Sequence, residues 1–214
     1  MDITYLGHSS FRIKTKTAKI VTDPFDPKKV GLKYPTIDAD IVTVSHDHFD
    51  HNFVEKVKGA KEVSGPGEYE ISGVSIIGVK TYHDDKKGAD RGKNTVYIFE
   101  ADGIRAAHLG DLGHKLKEKT IEEMGEINIL MIPVGGFYTI GPNVAAETVR
   151  SIEPQITIPM HYQFPGLNSA SFSKLAKVDE FLKEIGLTVE KMEKLTINVG
   201  DLADEQKIVQ LSLK

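Results

Sequence analysis

Residues 46–51 read His-Asp-His-Phe-Asp-His, and no other stretch of the 214-residue chain narrows its fold so far. Three imidazoles and a carboxylate in the spacing His-x-His-x-Asp-His arise by chance on the order of once in 10⁶ windows of such a composition. The run follows directly on Ile41-Val42-Thr43-Val44, whose β-branched, apolar residues predict a strand. Nitrogen and oxygen donors bind a divalent cation at about 2.0–2.1 Å, so side chains that share an ion must converge on one point. On an extended segment His46 and His48 occupy one face, because side chains repeat every two residues, and both reach one ion. Asp50 and His51 then project toward a second ion as the chain turns into a helix expected over residues 52–58. A solvated polar loop, the bland alternative, gives no reason for the spacing.

The remaining residues restrict how such a centre is built. There is no cysteine, which excludes disulfides, thiolate ligands and a cysteine nucleophile and leaves His, Asp and Glu as donors. A net charge of −4 offers no global positive field for nucleic acid or an anionic membrane, so a small-molecule substrate is favoured and nucleic acid disfavoured. No signal-like start or membrane-length apolar run is present, and the expected location is the cytoplasm. Lys86, Lys87, Arg91 and Lys93 are close enough to form a local basic patch, with a solvated loop as the plainer reading.

Short apolar or alternating runs at residues 3–6, 10–13, 18–22, 41–44, 74–81, 95–100, 104–108, 127–133, 155–159, 188–199 and 207–213 predict strands. Helices are expected at residues 52–58, 119–124, 142–152 and 171–185, the last two with apolar residues spaced by three and four. Pro142 suits a first helical turn and Gly186 a helix stop. No internal repeat or low-complexity linker divides the chain, so one domain over residues 1–214 is expected. A symmetric homo-oligomer is the mild default for such an enzyme.

The His46, His48, Asp50, His51 pattern resembles the hallmark of the metallo-β-lactamase superfamily, and further pieces follow in the family's order. Asp23 resembles an early carboxylate that orients a ligand imidazole, although a turn residue before Pro24 is an equal reading of it alone. The resemblance implies His83 as the ligand completing the first metal site, Asp111 in Gly110-Asp111 as the bridge between metals and His161 as the late histidine of the second. His108 competes with His83 for the third position, and family order favours His83. The implied fold is α/β, a four-layer αββα sandwich of two mixed β-sheets flanked by helices. Residues 6–11 (Leu-Gly-His-Ser-Ser-Phe), 65–69 (Gly-Pro-Gly-Glu-Tyr) and 133–136 (Pro-Val-Gly-Gly) look most like the branch of metal-dependent hydrolases that includes ascorbate-6-phosphate lactonase relatives.

The resemblance implies two divalent ions, zinc first and Mn²⁺ or Fe²⁺ as alternatives, and a bridging hydroxide that attacks a small ester, lactone or phosphoester. Asp50, Asp111 and His8 are the catalytic candidates, with an Asp ligand or His8 supplying the leaving group's proton. His8, in a Gly-His-Ser turn, is either a contact of this kind or a plain loop histidine. His114 is expected to cap or begin a helix and receives no role. Residues 84–94 suggest a mobile loop over the site, and residues 135–138 (Gly-Gly-Phe-Tyr) a second rim, with Phe164 and Pro165 equally balanced between rim and packing. Competing functions are phosphodiester cleavage in nucleic acid, iron-dependent redox chemistry and non-catalytic metal binding. No Gly-x-Ser-x-Gly turn supports a serine hydrolase.

Overall fold

The computed structural model describes residues 1–203 and 205–213. Its architecture follows from strands whose alternate side chains serve two different apolar layers. Ile20 and Ile41 point into a core shared with Tyr97, Phe99, Ile129 and Met131 of another sheet, whereas Val21 and Val42, one residue on, enter a separate outer cluster with Phe25, Val30 and Phe172. In the second sheet Ile129 and Met131 face inward, while Leu130 and Ile132 pack outward with Ala145, Val149 and Phe181 of two helices. Strands apolar on both faces must be covered on both faces. The result is two sheets stacked face to face with helices and loops outside, the αββα sandwich expected from the resemblance. Each fully buried Ile, Val or Phe contributes about 1.5–3 kcal/mol of burial free energy, so the inter-sheet layer is the main anchor of everything mounted on its rim.

The first sheet holds six strands in the order Lys194–Thr196, Asp2–Gly7, Ser10–Lys14, Lys19–Thr22, Ile41–Val44, Lys61–Ser64. The second holds eight: Thr188–Met192, Lys207–Leu211, Ile156–Met160, Ile129–Pro133, Ile104–His108, Lys93–Ala101, Val74–Tyr82, Gly67–Ile71. Both are mixed. Lys19–Thr22 runs parallel to Ile41–Val44, and Ile104–His108, Ile129–Pro133 and Ile156–Met160 are mutually parallel, so their C-terminal ends lie on one edge of the sandwich. Among the described residues no helix is long and apolar enough to cross a membrane.

Helix Pro142–Ile152 matches the sequence expectation, with Pro142 in its first turn. Other elements differ. Residues 52–58 form a 3-10 turn, Val54–Lys56, followed by a short strand, Val57–Lys58, paired with Ile37–Asp38. Residues 171–185 hold two helices, Ser169–Phe172 and Val178–Ile185, because backbone pairing with other segments captures the chain between them: Ala176 N donates to Gly135 O and Gln163 N to Ala176 O. Those long-range bonds outweigh local helix preference. The apolar run 188–199 likewise divides, its two strands joining different sheets.

Candidate metal centre

The strand ends Thr22, Val44, Tyr82, His108, Pro133 and Met160 deliver the loops that carry the site. Residues 45–51 are turns rather than an extension of strand Ile41–Val44, so pleating does not bring His46 and His48 together. Tight turns do: His48 N donates to His46 O and His51 N to His48 O, which leaves the His46 and His48 rings 4.6 Å apart. His83 follows strand Val74–Tyr82 and stands 4.6 Å from His46 and 5.1 Å from His48, ring to ring. These three form one group of converging donors, and Asp50, His51 and His161 with His8 form a second. Asp111 lies between them. Its Oδ2 is 3.2 Å from His83 Nε2 and 3.3 Å from His161 Nε2, and its Oδ1 is 3.2 Å from His51 Nε2.

The donor set fits divalent cations on three counts. Nε2 of His46, His51 and His161 and Oδ1 of Asp111 are buried without a hydrogen-bond partner, and unpaired polar atoms of this kind are costly unless something binds them. Asp23, Asp50 and Asp111 are 0%, 8% and 2% exposed, and their ion-pair partners among the described residues are histidines only. Three buried carboxylates without Lys or Arg leave negative charge for a cation to neutralise. Finally, donors at about 2.0–2.1 Å in tetrahedral array sit roughly 3.3 Å from one another, which the separations of Asp111 from His51, His83 and His161 match, while His46 Nε2 stands 3.9 Å from Asp111 Oδ2.

Hydrogen bonds orient the converging donor atoms. Asp23 accepts from His51 Nδ1 at 2.8 Å, from Ser45 N at 2.8 Å and from Ser45 Oγ. Because the Ser45 hydroxyl donates to Asp23, it accepts from His46 Nδ1 at 2.9 Å. One carboxylate thus places the proton on Nδ1 of both His46 and His51 and frees both Nε2 atoms. Burial opposes ionisation of Asp23, yet the imidazoles of His108 and His51 hold its carboxyl below the usual range. His51 is pushed the other way: burial disfavours its proton, but Asp111 and Asp50 raise its pKa well above the ordinary value.

His8 lies behind Asp50 rather than on the cavity wall. It is fully buried, and its Nε2 donates to Asp50 Oδ2 at 3.0 Å. Burial first, then the neighbouring His161, lowers its pKa to about 4, so it is neutral near pH 7 and holds Asp50 as a hydrogen-bond donor. The carbonyl of His8 accepts from Tyr5 Oη and His161 N, which pins His8 at φ 55 and His161 at φ 51. Asp23, at φ 41, is a third site residue in this unfavourable region.

His108 has both ring nitrogens engaged inside the protein, Nε2 with Ser9 O at 2.7 Å and Nδ1 accepting from Gly110 N at 3.2 Å. It stands outside both donor groups, whereas His83 stands within one. His114 does not begin a helix; helix Glu118–Met124 starts later, and His114 Nε2 accepts from Tyr82 N. Phe164 and Pro165 line a different cavity with Tyr5 and Tyr162.

Three features escaped sequence reading. Asn94 accepts from Asp111 N at 3.0 Å and donates to Leu109 O and Thr81 Oγ1, fixing the turn that carries Asp111. Its signal is a polar residue at a buried strand position. Gly110, at φ 54, adjoins Asn94 and Ser45 so closely that a Cβ would strike both. Within residues 84–94, expected as a mobile loop over the site, the segment 84–92 winds around Asp84, whose carboxylate accepts from the backbone N of Lys86, Gly88, Asp90 and Arg91. Although desolvation opposes it, these four donors lower the Asp84 pKa to about 2.

A cavity of about 400 Å³ opens over the centre, lined by His48, Asp50, His83 and Asp111 below and by Phe49, Arg91, Tyr138 and Phe172 at its sides.

Residues 2–161 match the family model described as a beta-lactamase superfamily domain. A UPF0173 metal-dependent hydrolase of Methanopyrus kandleri is 30% identical, covering 89% of this chain and 95% of the relative. A second UPF0173 metal-dependent hydrolase, from Thermococcus onnurineus, is 29% identical over 95% of this chain and 99% of its own length. A crystal structure from Thermotoga maritima, of a protein assigned to the metallo-beta-lactamase superfamily, superposes with a TM-score of 0.82 at 39% identity, covering 100% of this chain and 99% of the other. With the fold, the ordered donors and these matches in agreement, the chain belongs to the beta-lactamase superfamily.

Proposed function

We propose that the protein is a metal-dependent hydrolase that holds two divalent ions, zinc by preference, and acts on a small ester, lactone or phosphoester. The carrying observation is the pair of donor groups on either side of Asp111 at the floor of a single open cavity. His46, His48 and His83 would hold one ion, Asp50, His51 and His161 the other, and Asp111 both. Bound there, such ions supply Lewis acidity toward a carbonyl or phosphoryl oxygen and make water a competent nucleophile near neutral pH. The chain's own residues do the rest. Asp23 fixes the His46 and His51 tautomers, His8 orients Asp50, and Asn94 holds the Asp111 turn. Asp50 and Asp111 also face the cavity, where a carboxylate can receive or return a proton.

The small-molecule assignment rests on a cavity of about 400 Å³ walled by aromatic rings, a size suited to a metabolite. The likeness to archaeal metal-dependent hydrolases and to a Thermotoga maritima zinc-dependent hydrolase supports the metal-dependent hydrolase reading. The deciding experiment is elemental analysis of protein purified without chelator, followed by a hydrolysis screen over lactones, esters, thioesters and phosphoesters. The expected result is close to two ions per chain and turnover of one substrate class. Metal-loaded protein inert toward every class would overturn the hydrolase reading.

A further inference from the structure

We propose that Arg91 is a specificity-determining residue that receives a carboxylate carried by the substrate away from its scissile bond. This rests on the hydrolase reading above and narrows it to carboxylate-bearing esters or lactones.

Arg91 is the one Lys or Arg among the described residues that line the cavity over the metal centre. Its place is built rather than incidental. The Asp84 carboxylate accepts from Arg91 N at 2.8 Å and winds residues 84–92 into a closed turn, so the backbone at Arg91 is fixed. The guanidinium carbon lies 5.0 Å from the centre of the Tyr138 ring, and Tyr138 is itself anchored by its hydroxyl to Ser171 O at 2.8 Å. One Arg91 N–H donates to Phe137 O at 3.4 Å. No carboxylate of the described residues pairs with this guanidinium, while neighbouring Lys86 is paired with Asp90. A half-buried Arg91 whose guanidinium is held by stacking and one long hydrogen bond keeps several donors free, on the wall of the cavity whose floor holds the converging donors.

The surroundings reinforce its charge. Lys29 sits 5.1 Å over the ring of Phe49, which lines the cavity, and Lys174 sits 4.7 Å over the ring of Phe137, which packs beside Tyr138, so each of these rings carries a cation as Tyr138 does. The opposing charges lining the cavity are Asp50 and Asp111, which belong to the donor groups at its floor, and Asp47 at the rim, whose carboxylate is engaged by Asn52 Nδ2 at 2.6 Å. A mouth with this balance admits anions. One planar fork, with no second cation inside the cavity, matches a planar carboxylate better than a phosphate dianion, which usually draws several donors.

The test compares phenyl hydrogen glutarate, its neutral analogue phenyl 5-oxohexanoate and a phenyl ester ending in a phosphate group. The zinc-loaded wild type should prefer the carboxylate ester, and Arg91→Gln should lower that preference, as a ratio of kcat/KM values, by about 10- to 100-fold through KM, with Arg91→Lys intermediate. Calorimetric titration with glutarate, using acetate as the single-carboxylate reference, reads the same contact without turnover: Arg91→Gln should weaken glutarate by a similar factor relative to acetate. If no ester is cleaved, the hydrolase reading fails while the glutarate titration still judges Arg91. An unchanged glutarate-to-acetate ratio, equal losses on charged and neutral esters, or a preference that follows the phosphate arm alone would each overturn the proposal.

Discussion

The two donor groups of the candidate metal centre contain similar side chains but are supported in different ways. His48 is half-exposed and lines the cavity, and its neighbours Asp47 and Phe49 are on the surface. His51 and His161, across Asp111, are fully buried, and His161 is backed by the His8 ring at 4.3 Å. The inner group is locked by Asp23, by two residues at positive φ and by the carbonyl of His8. Similar ligand chemistry therefore comes with unequal rigidity, and rigidity decides how much of an ion's binding energy is spent on ordering side chains. The inner position should bind first and release last.

The strongest perturbation of that asymmetry is one that abolishes it. Asp111→Ala removes the one carboxylate that, among the described residues, pairs with His51, His83 and His161 together. Bound metal should fall from about two ions to less than one, and hydrolysis by at least about 10²-fold, the scale of losing a single electrostatic stabiliser at a reacting centre. Elemental analysis and a rate measurement on the same preparation check both. Retention of metal and rate would sink the shared-carboxylate arrangement.

Asp23→Ala acts on one side more than the other. It strips the acceptor from His51 Nδ1 and releases Ser45, which in turn steers His46. Metal affinity at the inner position should fall about 10- to 100-fold. Competition with a chromophoric chelator measures it, and an equal loss at both positions would show that the carboxylate supports the centre as a whole.

The residues singled out in the sequence, His46, His48, Asp50, His51, His83, Asp111 and His161, converge in space because the loops that carry them start at strand ends whose apolar pattern is plain. Ile41–Val44 precedes His46, Ile129–Pro133 continues the parallel layer, and Ile156–Met160 delivers His161. What sequence reading missed depends on partners distant in the chain. Asn94 looks like one more loop polar until Asp111 N is seen bonded to it, and Arg91 looks like part of a basic run until Tyr138 is placed beneath it. The helix expected over residues 171–185 breaks where Gly135 and Gln163 claim the backbone of Ala176. Periodicity records what a segment prefers alone; these contacts record what the folded neighbours supply.

Asn94→Ala tests whether the turn between the halves is held from outside. The substitution leaves Asp111 N and Leu109 O without their side-chain partner in a buried setting. An unfolding midpoint in denaturant should report a loss of about 1–3 kcal/mol in the metal-free protein, the range for orphaning a buried donor or acceptor. A loss confined to the metal-loaded form would place the role of Asn94 in ligand geometry instead.

The smallest effect isolates the outer half. The His48 imidazole has no hydrogen bond among the described residues, and its ring contacts are those with His46 and His83. Removing its imidazole should therefore cost the metal-free fold no more than about 0.5 kcal/mol, as for other surface substitutions away from networks. His161→Ala is the matched control, since its ring is fully buried against His8 and its backbone is held at positive φ. Denaturant unfolding of the two variants, stripped of metal, gives the difference directly. A His48→Ala loss as large as that of His161→Ala would mean that the outer loop is as structurally committed as the inner one, and the ordering of ion release argued from exposure would not hold. If the losses differ as expected, His48→Ala can vacate the outer position while the inner one keeps its supports, which allows the contribution of each ion to turnover to be measured separately.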